Sequence, residues 1–199
     1  MVSHRERLRV VEQAVAVQGL GLERCRVAGR ECATIAEARG YHSIFGPGDA
    51  QYHTLGKIGE MGFGLACETM GIYPDATPFP IDGVYHLGYD FAFGKVLVDC
   101  KGAWVLNEAA ARSTPYKSFG MMVPCEKIRD GDASDVYVYC LCWDESPDVY
   151  RVAPVGWASR DEVKRAPVRN NVRHTCYLVP MSELHPMSEF YDFVKTGGA

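Results

Sequence analysis

Asp90, Asp99 and Lys101 are the residues of this 199-residue chain whose types and spacing point most directly to chemistry. They lie in the stretch Tyr89-Asp90-Phe91-Ala92-Phe93-Gly94-Lys95-Val96-Leu97-Val98-Asp99-Cys100-Lys101, which reads as a β-hairpin. Gly94-Lys95 suits a two-residue turn, because glycine at the first central position accepts the positive φ of a type II′ turn. That turn pairs Phe93 with Val96, Ala92 with Leu97 and Phe91 with Val98, and it brings Asp90 opposite Asp99. Lys101 shares Asp99's face. The other face carries Phe91, Phe93, Val96, Val98 and Cys100 and is expected to pack on the core.

Two carboxylates facing each other across a strand pair, about 5 Å apart, repel unless a cation stands between them. Hard divalent ions such as Mg²⁺ take oxygen ligands and are held by one or two carboxylates plus substrate phosphate. A lysine beside such a site orients the attacking water or stabilises the charge developing on phosphorus. The chemistry indicated is metal-assisted phosphodiester hydrolysis. A D-x-K triplet taken alone is more often a solvated strand edge, so its weight comes from the surrounding pattern.

That pattern resembles the PD-(D/E)xK nucleases of the restriction-endonuclease-like fold, in a phage-type or restriction-type member. Asp90 followed after nine positions by Asp99-Cys100-Lys101 is similar to the family's motif, with Tyr89-Asp90 in place of its proline–aspartate pair and Asp99 in place of the more frequent glutamate. The family also has an acid on a preceding helix, and Gly56-Lys57-Ile58-Gly59-Glu60-Met61-Gly62-Phe63-Gly64-Leu65-Ala66 resembles that helix, with Glu60 in the acidic position. The likeness is best over residues 53–145. It implies an α/β fold with a mixed central sheet flanked by helices. It also implies a Mg²⁺-dependent deoxyribonuclease, for which Mn²⁺ substitutes, acting as an endonuclease rather than an exonuclease. Asp90, Asp99, Glu60 and the Cys100 backbone carbonyl would bind metal, and Lys101 would position water. The alternative is a nucleic-acid-binding or accessory protein that keeps the fold without cleaving; a hydrolase of small phosphorylated substrates is a third reading.

The elements that must position these residues are read from periodicity. Residues 3–18 fit an amphipathic helix stopped by Gly19 and Gly21, and a second helix is expected over residues 32–39. Residues 41–52 form a loop leading into the Glu60 helix, which ends near Gly71. Ile58, Met61 and Leu65 give that helix an apolar stripe, while Gly59, Gly62 and Gly64 need a packing reason, because each glycine costs about 1 kcal/mol relative to alanine. Close approach to the hairpin supplies one. Residues 73–82 are an irregular connector and 107–112 a short helix. Residues 137–143, 150–157 and 177–180 are strands, and Ser159-Arg160-Asp161-Glu162 has capping-box spacing.

With 47% hydrophobic residues the chain can build one core, so it is read as one domain: a helical N-terminal extension (1–52), a catalytic part (53–145) and a C-terminal part (146–199). No apolar run spans a bilayer and no secretory signal pattern is present, so a cytoplasmic location is expected, the host's if the chain is phage-encoded. The eight cysteines are scattered without a C-x-x-C pair, which favours free thiols over a zinc or iron–sulfur site. Net charge is −4, against nonspecific coating of nucleic acid. Residues 151–174 nevertheless hold six Lys/Arg against two acids. Arg165, Arg169 and Arg173 there, with Lys117 after the hairpin, are the candidate phosphate contacts for DNA. A homodimer cutting both strands is left open.

Overall fold

Residues 136–143, Val-Tyr-Val-Tyr-Cys-Leu-Cys-Trp, are all buried, and they occupy the centre of a sheet covered on both faces. A continuous apolar run is what such a strand requires, because each side chain meets a packed layer whichever way it points. The computed structural model describes residues 4–38, 50–79, 89–114, 119–129, 134–170 and 175–196. The chain order is α1 (His4–Glu12), β1 (Val15–Gln18), α2 (Gly19–Ala38), α3 (Ala50–Thr69), β2 (Phe91–Phe93), β3 (Val96–Trp104) and α4 (Glu108–Ser113). It continues with β4 (Gly120–Pro124), α5 (Cys125–Arg129), β5 (Val136–Ser146), β6 (Val149–Ser159), α6 (Arg160–Arg165), β7 (Val168–Asn170), β8 (Thr175–Pro180) and α7 (Met187–Lys195).

The main sheet has the order β1-β6-β5-β3-β2. β3 and β5 run parallel and the other neighbours antiparallel, so the sheet is mixed. Parallel neighbours need a crossover, here the segment carrying α4, β4 and α5. An antiparallel three-stranded sheet, β4-β8-β7, forms a second layer.

Alternate residues of β5 feed two cores. Val136, Val138, Cys140 and Cys142 join Val98, Phe91 and Phe93 under α2, α3 and α7. Tyr137, Tyr139, Leu141 and Trp143 join Met121, Val123, Ile128 and Val163 on the side of the small sheet. The apolar face expected of the hairpin is thus found, and Phe63 of α3 meets the Phe91 ring edge-on with centroids 5.1 Å apart. The eight cysteines are free.

Several expectations hold closely. The hairpin register is Phe91 with Val98, Ala92 with Leu97 and Phe93 with Val96, and Gly94 carries a φ of 59°. α3 ends at Thr69 with Gly71 at a φ of 69°, and Ser159 and Glu162 form the capping box. Two expectations about the N-terminal elements fail. The helix expected over 3–18 stops at Glu12, because β-branched Val15 and Val17 complete the sheet edge by pairing with Val152 and Tyr150 of β6. The N-terminal part therefore contributes a strand as well as helices. Gly19 and Gly21 do not end a helix but open α2, which runs on through the segment expected to begin at residue 32. Its inward face, Leu22, Cys25, Ala28 and Ala33, packs against α3 and the sheet; that packing outweighs the propensity cost of Gly21 and Gly29, while Gly19, at a φ of 55°, stands at the entry where glycine is favoured.

Candidate active site

β2 has three residues and β3 nine, so among the described residues no strand pairs with β3 beyond Val98 on that edge. Asp90 stands where the ladder stops. Its backbone N–H donates to Val98 O at 2.8 Å, and its carboxylate Oδ2 accepts the Cys100 N–H at 2.8 Å. The side chain thus takes the place of the next backbone acceptor and caps the open edge. Asp90 precedes β2 instead of forming a ladder pair with Asp99, which departs from the expected register by one step. A strand residue's N–H and C=O point to the same edge, so the Cys100 carbonyl opens beside Asp90.

Asp99 lies on the opposite face from Cys100 and is 2% exposed. Both of its oxygens are engaged: Lys101 Nζ meets Oδ2 and Lys127 Nζ, from α5, meets Oδ1. Burial opposes the charge on Asp99, but the two ammonium groups outweigh it and hold the carboxyl below the usual carboxylate range. Asp90 is shifted the other way. Burial, then the charges of Glu60 and Asp99, keep its carboxyl well above that range, with Lys101 and Lys57 offsetting only part.

Glu60 approaches from the α3 side of the sheet. Its Oε2 accepts from Lys57 Nζ at 2.6 Å, an i,i+3 pair whose side chains are 11% and 13% exposed. Burial works against the Lys57 ammonium, yet Glu60 and Asp90 raise its pKa above the ordinary lysine value. α3 can come this close because Gly62 lies directly on Val152, where a Cβ would fall 2.3 Å from the valine Cβ, and because Gly64 faces the Phe91 ring, 3.3 Å from where its Cβ would stand. A hollow of about 90 Å³ adjoins Glu60, with Arg24 and Phe79 in its wall; the Arg24 guanidinium stands 5.6 Å from the Phe79 ring centre.

Glu60, from α3, and Asp99 and Lys101, from β3, therefore come within electrostatic reach of Asp90 at the entry to β2. Lys57 and Lys127 are the participants that sequence reading missed. Lys57 could have been found from its i,i+3 spacing to Glu60. Lys127 could not, since it is 28 positions from Asp99 and reaches it through the crossover. Arg165 and Arg169 are exposed, on α6 and β7. Arg169 pairs with Cys176 of β8, and the Cys176 thiol lies within electrostatic reach of Lys101 and Glu126, which sets this end of the small sheet beside the site. Lys117 and Arg173 lie outside the described residues.

The three carboxylates and the Cys100 carbonyl are hard oxygen donors suited to Mg²⁺. Asp90, crowded by two other carboxylates, is the kind of group a divalent ion would relieve. Among the described residues, however, no three His, Cys, Asp or Glu side chains are drawn together as a ready-made metal group. Lysines pair with Glu60 and Asp99 instead, while Asp90 accepts the Cys100 N–H. Also among the described residues, no helix is long and apolar enough to cross a membrane.

Comparison with known proteins returned no matching family model, no matching curated protein and no matching solved structure.

Proposed function

We propose that this chain is a Mg²⁺-dependent nuclease of restriction-endonuclease-like fold that hydrolyses phosphodiester bonds in DNA, in the cytoplasm. The observation that carries the proposal is the approach of Glu60, Asp90, Asp99 and Lys101 to one another at the unpaired edge of β3, three of them supplied by the hairpin stretch and one by helix α3. The donor set fits a hard cation, with Asp90, Asp99 and the Cys100 carbonyl as ligands and Glu60 completing or supporting the sphere. Mg²⁺, when bound, polarises the scissile phosphate and lowers the pKa of its water. Lys101, two residues along the strand from Asp99, orients the attacking water and stabilises charge developing on the phosphoryl oxygens. Water oxygen bonds to phosphorus as the bond to the leaving oxygen breaks. The exposed Arg165 and Arg169 hold the DNA backbone.

One observation favours the second reading, a non-cleaving nucleic-acid-binding protein: both oxygens of Asp99 are already met by lysines. Incubating the protein with labelled linear, circular and branched DNAs in Mg²⁺, Mn²⁺ or chelator separates the two. Metal-dependent cleavage, abolished in Lys101→Ala and Asp90→Asn, is expected. DNA binding without cleavage in either metal would establish the second reading.

A further inference from the structure

Three carboxylates, Glu60, Asp90 and Asp99, share the β3 edge with three ammonium groups, those of Lys57, Lys101 and Lys127. With all three carboxylates ionised, as a bound divalent ion would keep Asp90, their formal charges balance those of the lysines. Adding a divalent cation to a balanced set leaves it two charges in excess, and a phosphodiester restores only one of them. The site therefore accepts a metal and a substrate most readily if one lysine gives up its carboxylate and turns to the phosphate.

The structure distinguishes the three. Lys57 pairs with Glu60 within one helical turn, both side chains nearly buried. Lys101 is fixed by strand geometry, since residues two apart on β3 face the same way, and its side chain is 20% exposed. Lys127 comes from a different layer and its side chain is 32% exposed. The helix beneath it is anchored: Ile128 is 6% exposed, and its carbonyl accepts from the Arg160 guanidinium at 3.2 Å. Only the flexible Lys127 side chain has to move.

Resting on the nuclease reading above, we propose that Lys127 is the exchangeable counter-ion of Asp99: it holds Oδ1 in the metal-free protein and passes to a non-bridging oxygen of the substrate phosphate when the site is loaded. It is a phosphate-binding residue supplied by the crossover, outside the motif that the hairpin carries. The lysine is then a competitor of the metal and a partner of the DNA, and its removal acts on the two in opposite directions.

Lys127→Met removes the charge at similar length. Mn²⁺ binding without DNA, followed by titration calorimetry, should tighten by about threefold to tenfold relative to wild type. Binding of a short duplex in Ca²⁺ should weaken by about tenfold, with its log–log salt slope reduced by about one phosphate contact. Lys127→Arg should recover the DNA affinity, and Lys101→Met, read in the same assays, should not tighten Mn²⁺ more than Lys127→Met does. Weaker Mn²⁺ binding in Lys127→Met would overturn the inference, because it would make Lys127 a support that positions Asp99. A wild type that binds Mn²⁺, with Lys127→Met binding it no tighter, removes this inference and leaves the nuclease reading standing. A wild type that binds no Mn²⁺ removes both.

Discussion

Gly59→Ala and Gly62→Ala are expected to move stability in opposite directions, although they lie one turn apart on α3. A Cβ at Gly62 would fall 2.3 Å from Val152 Cβ and 2.5 and 2.6 Å from its two γ carbons. Carbon atoms in contact need about 3.5–4.0 Å, so α3 would have to lift from β6 by roughly 1 Å or more. Overpacking of this kind costs about 1–3 kcal/mol. Alanine's helix propensity returns at most about 1 kcal/mol, leaving a net loss of up to about 2 kcal/mol. At Gly59 the new methyl would meet Cys142 Sγ at 3.6 Å and Gly102 Cα at 4.0 Å, which is ordinary contact. There the propensity gain of up to about 1 kcal/mol is retained. In a domain of this size each kcal/mol shifts Tm by about 2–4 °C, so thermal melts in chelator resolve both changes. Glu60 sits between the two glycines, and a lifted α3 carries it from Asp90, so metal-dependent cleavage should fall in Gly62→Ala and persist in Gly59→Ala. A Gly62→Ala protein as stable as wild type would refute the seating of this helix on β6.

The opposite shifts of the two aspartates give opposite pH signatures. The folded chain binds the Asp90 proton more tightly than the unfolded chain does, so ionising Asp90 opposes folding; Asp90→Asn in chelator should gain on wild type as pH rises from about 4 to about 8. A constant difference across that range would show that Asp90 is not crowded. Asp99, depressed by Lys101 and Lys127, contributes stability that is present above the unfolded value of about 3.9 and lost as pH falls through its lower folded value. Asp99→Asn should therefore lose on the order of 2–3 kcal/mol at neutral pH, less than a fully buried pair because both lysines keep some water, and the deficit measured by urea unfolding should shrink in acid. Val98→Asp, at a position fully buried under α3, should prevent folding outright, visible as lost near-ultraviolet dichroism. Arg165→Ala combined with Arg169→Ala should weaken DNA binding and lower the salt slope by about 2 while leaving Mn²⁺ affinity unchanged; an unaltered slope would mean that these arginines face away from the DNA.

What the sequence determined by itself is local. The hairpin register followed from a glycine able to take positive φ and from strict alternation on either side of it, and both signals span a dozen residues. The Ser159 capping box and the end of α3 at Gly71 were equally readable, since each is a contact between residues a turn apart. Where a segment fitted two periods, local reading failed. Residues 15–18 became an edge strand because β6 offered unpaired backbone groups; Gly19, at a φ of 55°, turns the chain into α2, which absorbed Gly21 because its inner face met α3 and the sheet. The site divides along the same line. Asp90, Asp99, Lys101 and Glu60 are the acids and lysine that local sequence nominates, and the fold then decided that β2 stops early enough for Asp90 to cap the Cys100 N–H. Lys127 reaches Asp99 only because β3 and β5 are parallel, which forces a crossover whose short helix lands above the carboxylate. A buried charge takes whichever cation the completed fold brings within reach, and no spacing along the chain records which one that is.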